Sequence, residues 1–336
     1  MKITADRNIP FIERPLRAIG DLVMLPGTEI TPEVMADTDI LLTRTRTRCN
    51  EALLAQSPCS FIGTATIGTD HIDLPYCRER GITVANAPGC NAPAVAQWVL
   101  AAIINYFTPA RRLSDITLGV IGAGHVGSIL IRWAEGLGIR VLVNDPPLQE
   151  TAPDAYNYST LADIARECDV ISVHTPLTRD GRYPSYHLIG SGFISMLRRK
   201  PLILNAARGP VTDTRALIEG LDSGLIGAVG IDCWEGEPAI DPILLERAYI
   251  ATPHIAGYSR QGKIRASEMV LDALSQHLGL TTPLRADAPS IAPVPDTITE
   301  EMISYDILAD TEALKSAPAD FETLRNNYHL REEPCR

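Results

Sequence analysis

The sequence predicts an α/β protein made of two doubly wound parallel-sheet domains with a short C-terminal extension, on three observations. Strand-length apolar runs alternate with helical patterns across residues 116–257. Those runs are nearly uninterrupted Val, Ile and Leu, so both faces of each strand are bound for burial, as in a parallel sheet covered by helices on both sides. A second alternation of the same kind fills residues 1–90. Strands separated by single helices form parallel α/β units.

Taken in order, the first strand signals are MKITAD, LVMLP, the stretch 36–45, CSFIGTAT and GITVANAP. A turn rich in Pro and Gly then leads into a helix over 92–107, APAVAQWVLAAIINYF, which suits a connector between two domains. The second set of strands is LGVIG (118–122), IRVLVND (139–145), DVISVHT (169–175), LILNAA (202–207), AVGIDCW (228–234) and YIATPHI (249–255). Helical patterns lie between them, for example at 127–137 and 213–223. A further helix is expected over 261–280, and TTPLRADAPSIAPVPD after it is Pro-rich and polar enough to be a linker. The last forty residues hold little core material. A disordered tail, an arm packed on the first domain and a small dimerisation unit all remain open for them. The expected organisation is a substrate domain beginning at 1–91, a nucleotide-binding domain at 92–257, a return helix at 258–285, and a linker with a C-terminal segment at 286–336.

Length and composition agree with this division. At about 150 residues per domain, 336 residues make two domains. A chain that is 45% hydrophobic and 21% charged is neither disordered, collagen-like nor stapled by disulfides. The net charge of −11 makes it a poor general binder of nucleic acid or of an anionic membrane. Ten acids and four bases fall in 296–336, so the rest is only mildly acidic, and an anionic substrate needs a local basic cluster. The seven cysteines are odd in number, scattered and without a C-x-x-C, so they read as reduced core thiols and offer neither a zinc site nor a disulfide framework. Asp6 and Arg7 stand where a signal peptide would need its apolar region, and the longest apolar stretch, of about ten residues, is too short to span a bilayer. A cytoplasmic protein is expected.

The motif Gly122-Ala-Gly124-His-Val-Gly127 follows a predicted strand and opens a predicted helix. In that context it is a Rossmann-like dinucleotide site. The first glycine permits the tight turn, the second lets backbone N–H groups approach a pyrophosphate, and the third allows close helix–strand contact. His125 and Val126 fall in the first helical turn, whose N–H groups favour phosphate. Asp145 ends the next strand, where a carboxylate accepts both ribose hydroxyls of NAD and repels a 2′-phosphate. Pro146 and Pro147 follow it, with no Arg, so NAD is expected over NADP. The bland alternative is that Asp145 merely ends a strand.

Three further segments sit at the carboxyl ends of successive predicted strands, the edge at which α/β sheets bind ligands. They are NAARG with Arg208, DCWEGEP with Asp232 and Glu237, and TPHIAGYS with His254. Singly, each residue has an ordinary structural reading: a surface charge, a turn residue, a buried donor. Together they suit oxidation of a hydroxy acid. His254 is a base with a pKa near working pH, Glu237 would fix its tautomer, and Arg208 offers a planar fork to a carboxylate. The three are expected to converge beside a nicotinamide in a cleft between two lobes.

With HTPL at 174–177 and PHIAG at 253–257, these motifs resemble the D-isomer-specific 2-hydroxyacid dehydrogenases. FIGTATIGTDHIDL (61–74), NAPGCNA (86–92), HIAGYS (254–259) and FETLRNNYHLRE (321–332) resemble, more narrowly, a branch of that family that acts on a phosphorylated four-carbon hydroxy acid. The resemblance implies NAD as cofactor, no metal, a phosphorylated 2-hydroxy acid as substrate, and a homodimer. It assigns Thr175, Ala206, Ala207, Asp232 and Gly257 to the cofactor, and Thr45, Thr66 and Tyr258 to the substrate. Arg44, Arg46 and Arg48 alternate with Thr in TRTRTR and would share one face of an extended segment. Arg44, next to Thr45, is the expected phosphate ligand, while a solvated strand end is the other reading of Arg46 and Arg48. The chain departs from the family pattern in a short region after the linker, and in Pro109 and Arg111-Arg112 of the connector. Two alternatives stay open: a phosphoglycerate- or glyoxylate-type dehydrogenase, and a non-catalytic NADH-sensing binding protein.

Overall fold

Neighbouring apolar residues such as Ile40, Leu41 and Leu42 leave a strand no polar side to show to water, so the sheet that holds them must be covered on both faces. The structure, a computed structural model, describes residues 1–108 and 110–335, so Pro109 lies outside the described residues. It contains two units: Met1–Asn91 with Ser259–Ala292, and Ala92–Tyr258 with the chain from Pro293 onward.

The first unit has five parallel strands, β1 (Lys2–Asp6), β2 (Asp21–Leu25), β3 (Ile40–Thr43), β4 (Phe61–Thr64) and β5 (Thr83–Ala85), in the order β2-β1-β3-β4-β5. Ile40, Leu42 and Phe61 pack with Val270, Leu271 and Leu274 of the helix Arg260–His277. Leu41 and Ile62 point the other way, onto Met35, Leu54 and Cys77. Gly63 lets the long helix sit close, because a Cβ there would lie 2.6 Å from a methyl of Val270. Ser259 starts that helix by accepting the Gly262 N–H at 3.0 Å.

The second unit has six parallel strands: β6 (Thr117–Ile121), β7 (Arg140–Asn144), β8 (Val170–Val173), β9 (Leu202–Asn205), β10 (Ala228–Ile231) and β11 (Ile250–Ala251). Their order is β11-β10-β9-β8-β6-β7. The winding reverses between β6 and β8, which opens a crevice at their carboxyl ends. The helix Ala92–Phe107 is apolar on nearly every side and buried accordingly, with Trp98 fully enclosed and donating to Thr252 Oγ1 at 3.1 Å. Arg111 of the connector pairs with Asp169 at 3.0 Å, and Asp169 also accepts the Thr117 N–H at the start of β6. Burial alone would raise the Asp169 carboxyl, but the Arg111 hydrogen bond and the Thr117 N–H hold it below the usual range.

The C-terminal segment departs from the expectation of little core material. Ile298, Ile303 and Ile307 enter the apolar cluster around Trp98, while Leu314 and Phe321 enter the cluster on the other side of the same sheet. Trp133 donates to Pro295 O at 2.8 Å. Five apolar residues spaced along a polar stretch are enough to lay the tail across the second unit, and they are divided among a coil position and three short helical segments, so no one amphipathic helix announces them.

Candidate active site

The glycine turn after β6 shows which of its glycines the chain itself requires. Gly122 has φ +95°, and a Cβ there would lie 2.8 Å from the His174 carbonyl carbon. At Gly127 a Cβ would come 2.0 Å from Gly122 O. Gly124 differs, because a Cβ there would meet no atom within 4 Å. The fold does not need glycine at 124, and its absence of a side chain leaves the backbone there open to close approach. His125 and Val126 open the helix His125–Gly136 beside this space, with first-turn N–H groups suited to phosphate oxygens. Across the crevice, Thr175 Oγ1 is buried without a hydrogen-bond partner. A buried orphan hydroxyl is costly unless a ligand supplies its partner. The residues present therefore fit a dinucleotide.

Asp145 does more than the sequence suggests. Its Oδ2 accepts the Ala123 N–H at 2.8 Å, and its Oδ1 accepts the Leu148 N–H at 3.0 Å. The carboxylate thus ties the end of β7 to the glycine turn and caps the helix Pro146–Thr151. Each oxygen keeps a second lone pair for a ribose hydroxyl.

The three strand ends read as catalytic are organised by two buried polar side chains. Asn205, at the end of β9 and fully buried, donates to Arg208 O (3.0 Å) and Thr212 Oγ1 (3.1 Å) and accepts the Ala207 N–H (3.1 Å). This shapes the turn that carries Ala206, Ala207 and Arg208. Gly209 follows, and a Cβ there would lie 2.0 Å from Trp234 O, so the turn lies directly against the backbone of DCWEGEP. Asp232, 1% exposed, accepts at Oδ1 the N–H groups of Ile255 (2.7 Å) and Ala256 (3.0 Å) and the Thr252 hydroxyl (2.6 Å). Burial raises its carboxyl despite these donors and the neighbouring His254. Asp232, expected to touch the cofactor, is first of all the post to which the His254 loop is fixed.

That post holds His254 in an unusual backbone state, with φ +57°. A non-glycine residue there costs of order 1–3 kcal/mol and persists only when its surroundings over-determine it. The His254 N–H donates to Asp232 O at 2.9 Å, and Nδ1 lies 2.8 Å from Glu237 Oε2. Glu237 is itself oriented by the Trp234 N–H, which donates to Oε1 at 2.6 Å. A carboxylate only accepts, so Nδ1 carries the proton and Nε2 is the basic nitrogen of the neutral ring.

Ligand atoms of Cys233, Glu237 and His254 lie within 4.8 Å of one another, a spacing that a metal could use. Burial, with Asp232 and Glu237 adding to it, pushes the Cys233 thiol well above its ordinary range. A protonated thiol is a poor ligand, so the trio reads better as an oriented imidazole. The positive charges of Arg208 and Arg325 oppose that rise without cancelling it.

Sequence reasoning passed over Arg325. Its side chain, 18% exposed, hydrogen-bonds Tyr258; burial would lower its pKa, but Tyr258 and then Glu237 outweigh that and keep it charged. Arg331, six residues on, was also missed. The available signal was the motif LRNNYHLRE, two arginines around a tyrosine in an otherwise acidic tail.

In the first unit, Thr45 and Thr66 follow β3 and β4, adjacent strands paired Thr43 to Thr64, and so lie at one carboxyl edge. Thr66 joins a chain of side chains, its hydroxyl 2.7 Å from that of Thr64, which lies 3.1 Å from His71 Nε2. The expected extended TRTRTR segment is corrected by the structure. The chain turns after β3, the Thr47 N–H reaching Arg44 O, because Thr47 is buried and donates to Gly27 O at 2.9 Å. The alternation of a strand therefore does not carry Arg44, Arg46 and Arg48. Arg44 is half-buried and the other two are exposed.

Residues 93–256 match the family described as D-isomer specific 2-hydroxyacid dehydrogenase, NAD binding domain. A Bacteroides fragilis protein named erythronate-4-phosphate dehydrogenase is 44% identical over 99% of this chain and 97% of its own length. The chain belongs to the D-isomer-specific 2-hydroxyacid dehydrogenases. A Porphyromonas gingivalis protein of the same name is 39% identical over 99% of this chain and 94% of its own. Among solved structures, the D-lactate dehydrogenase of Aquifex aeolicus, complexed with NAD and lactic acid, matches with TM-score 0.67 and 26% identity, covering 83% of this chain and 96% of that one. This dehydrogenase is an NAD-dependent oxidoreductase acting on a CH–OH group, and Gly124, Thr175 and Asp145 lie in its NAD-binding domain.

Proposed function

We propose that the dehydrogenase oxidises 4-phospho-D-erythronate to (R)-3-hydroxy-2-oxo-4-phosphooxybutanoate, a step in the biosynthesis of pyridoxine 5′-phosphate. The relatives named for erythronate 4-phosphate support the substrate. The observation that carries the chemistry is the His254–Glu237 pair at 2.8 Å. With Nδ1–H held by the carboxylate, His254 Nε2 accepts the proton of the C2 hydroxyl, and Glu237 stabilises the imidazolium that results. Arg208 binds the substrate carboxylate with its planar fork and polarises the forming carbonyl. NAD, held by Gly122, Gly124, Gly127, His125, Val126, Asp145, Thr175, Ala206, Ala207, Asp232 and Gly257, supplies the hydride acceptor.

Thr45, Thr66 and Tyr258 are proposed substrate contacts, with Arg44 the phosphate ligand. The chain is proposed to work as a homodimer in the cytoplasm. Five buried cysteines outside disulfides, Cys49, Cys59, Cys77, Cys168 and Cys233, support a reducing compartment. Among the described residues no helix is long and apolar enough to cross a membrane.

A panel of phosphorylated and plain three- and four-carbon 2-hydroxy acids, followed by NADH absorbance, tests the reading. Phosphoerythronate is expected to give the highest kcat/KM. Equal turnover of the dephosphorylated acid would assign the chain to another substrate class, and NADH binding without turnover of any acid would make it a sensor.

A further inference from the structure

One guanidinium in the tail is hydrogen-bonded at every N–H it has. Arg331 Nε donates to Gln97 Oε1 at 3.0 Å; Nη1 donates to Ile255 O and Tyr258 O, both at 3.1 Å; Nη2 donates to Ala94 O at 2.9 Å and to Ala256 O. An arginine has five donors, and all five are used. Three of the acceptors are carbonyls of the loop that begins at His254, and the other two belong to the first turns of the helix Ala92–Phe107. Gln97 is buried and returns a bond to Glu332 O at 3.1 Å, while the Tyr305 ring lies 4.4 Å from the guanidinium carbon.

The loop after His254 is thus gripped from both sides. Asp232 takes the N–H groups of Ile255 and Ala256, and Arg331 takes their carbonyls. Little is left by which residues 255–258 can relax, and the strained backbone of His254 is retained because of it.

We propose that Arg331 is a positioning residue for His254, so that the C-terminal segment is a working part of the catalytic site and not only a cover for the second unit. The proposal rests on the reading of His254 as the base. Arg331 acts by geometry: Asp232 and Arg331 fix the loop, the loop fixes the imidazole, and Glu237 finds Nδ1 in place. A lysine has three donors and no planar fork, so it cannot grip five acceptors.

Arg331→Met and Arg331→Lys, made in the full chain, are to be compared with wild type by NADH fluorescence titration, by kcat and KM for phosphoerythronate, and by the downfield Nδ1–H proton resonance of His254, assigned from its loss in His254→Gln. NADH affinity is expected to fall by less than about tenfold, because the glycine turn and Asp145 are untouched and only Gly257 of the proposed NAD contacts lies in the loop beyond His254. The kcat is expected to fall by about tenfold to a hundredfold, as misplacement of a catalytic group does, and KM to rise by less, since only Tyr258 of the proposed substrate contacts lies in the loop. The resonance should shift or broaden, and Lys should not rescue. A folded Arg331→Met with wild-type kcat and an unchanged resonance overturns the proposal. If neither variant folds, Gln97→Leu removes one acceptor, and an unaltered resonance there overturns it equally. A wild-type protein without hydroxy-acid activity would defeat the functional reading alone, since the resonance still decides whether Arg331 holds His254.

Discussion

The two sheets share one winding. Read from the other edge, β7-β6-β8-β9-β10-β11 of the second unit repeats β2-β1-β3-β4-β5 of the first, with one strand added. Each reverses beside its first strand, and each brings loops to a carboxyl edge where a ligand can sit. They differ in how those loops are held. In the second unit the loop backbones are bonded to buried polar side chains, Asn205 and Asp232, and to Arg331 from the tail. In the first, the edge carries short hydroxyl contacts at Thr64 and Thr66, a half-buried Arg44 and two exposed arginines. Topology decides where chemistry can occur; the density of buried hydrogen bonds marks which edge is rigid enough to perform it. The contrast also follows from the roles proposed above. A group that moves a proton must be held within a fraction of an ångström, whereas a group that attracts an anion works from a looser position.

This contrast can be broken most sharply at His254. His254→Gln is expected to lower kcat by about 10²–10⁴ while sparing NADH binding; turnover near wild type, measured by NADH absorbance, removes the base from the second unit. Gly209→Ala comes next, because its Cβ would overlap Trp234 O. A loss of about 3 kcal/mol in urea unfolding is expected, since the backbone of two interlocked turns cannot yield as a side chain would. An unchanged midpoint would show that the turns are less tightly joined than they look.

The third test concerns pH. Burial pulls the His174 imidazole down to about 3, so the native state keeps it neutral. The unfolded chain binds that proton below about pH 6.5, and the native state does not until about pH 3. Stability therefore falls on acidification through that window, by at most about 1.4 kcal/mol per pH unit, and less because the side chain is partly open to water. His174→Gln should flatten the decline of the unfolding midpoint between pH 6.5 and 4.5; an identical slope refutes the assignment. The smallest effect is expected in the first unit. Arg44→Gln should raise KM for phosphoerythronate about tenfold, near 1.4 kcal/mol, with kcat kept, and Arg46→Gln should do less. Equal effects of the two would show that the turn after β3 does not single out Arg44.

Much of the fold was legible because its signals are local. The strands of both sheets fall within one residue of the apolar runs read from the sequence, and the helix Ala92–Phe107 matches its pattern end to end. The glycine motif and the Arg, Glu and His at strand ends were legible for the same reason, each being a short motif beside a strong element. The turn at Thr47 was not, because alternation of Arg and Thr predicts a strand and the burial of one threonine hydroxyl overrides it. Nor was the double role of Asp145, whose partner Ala123 is far from it in sequence. The tail was misjudged because its five core residues are divided among a coil position and three short helical segments, none of them long enough to show an apolar face.

The sequence by itself determined the parallel sheets, the sheet edge that carries the candidate site and the residue types able to carry a hydride-transfer reaction, since these depend on local pattern and side-chain chemistry. Only the tertiary structure decided that a buried aspartate and a tail arginine grip opposite sides of the His254 loop. Hydrogen bonds between backbone groups and side chains more than twenty residues away leave no periodicity behind, so only a folded chain reveals them.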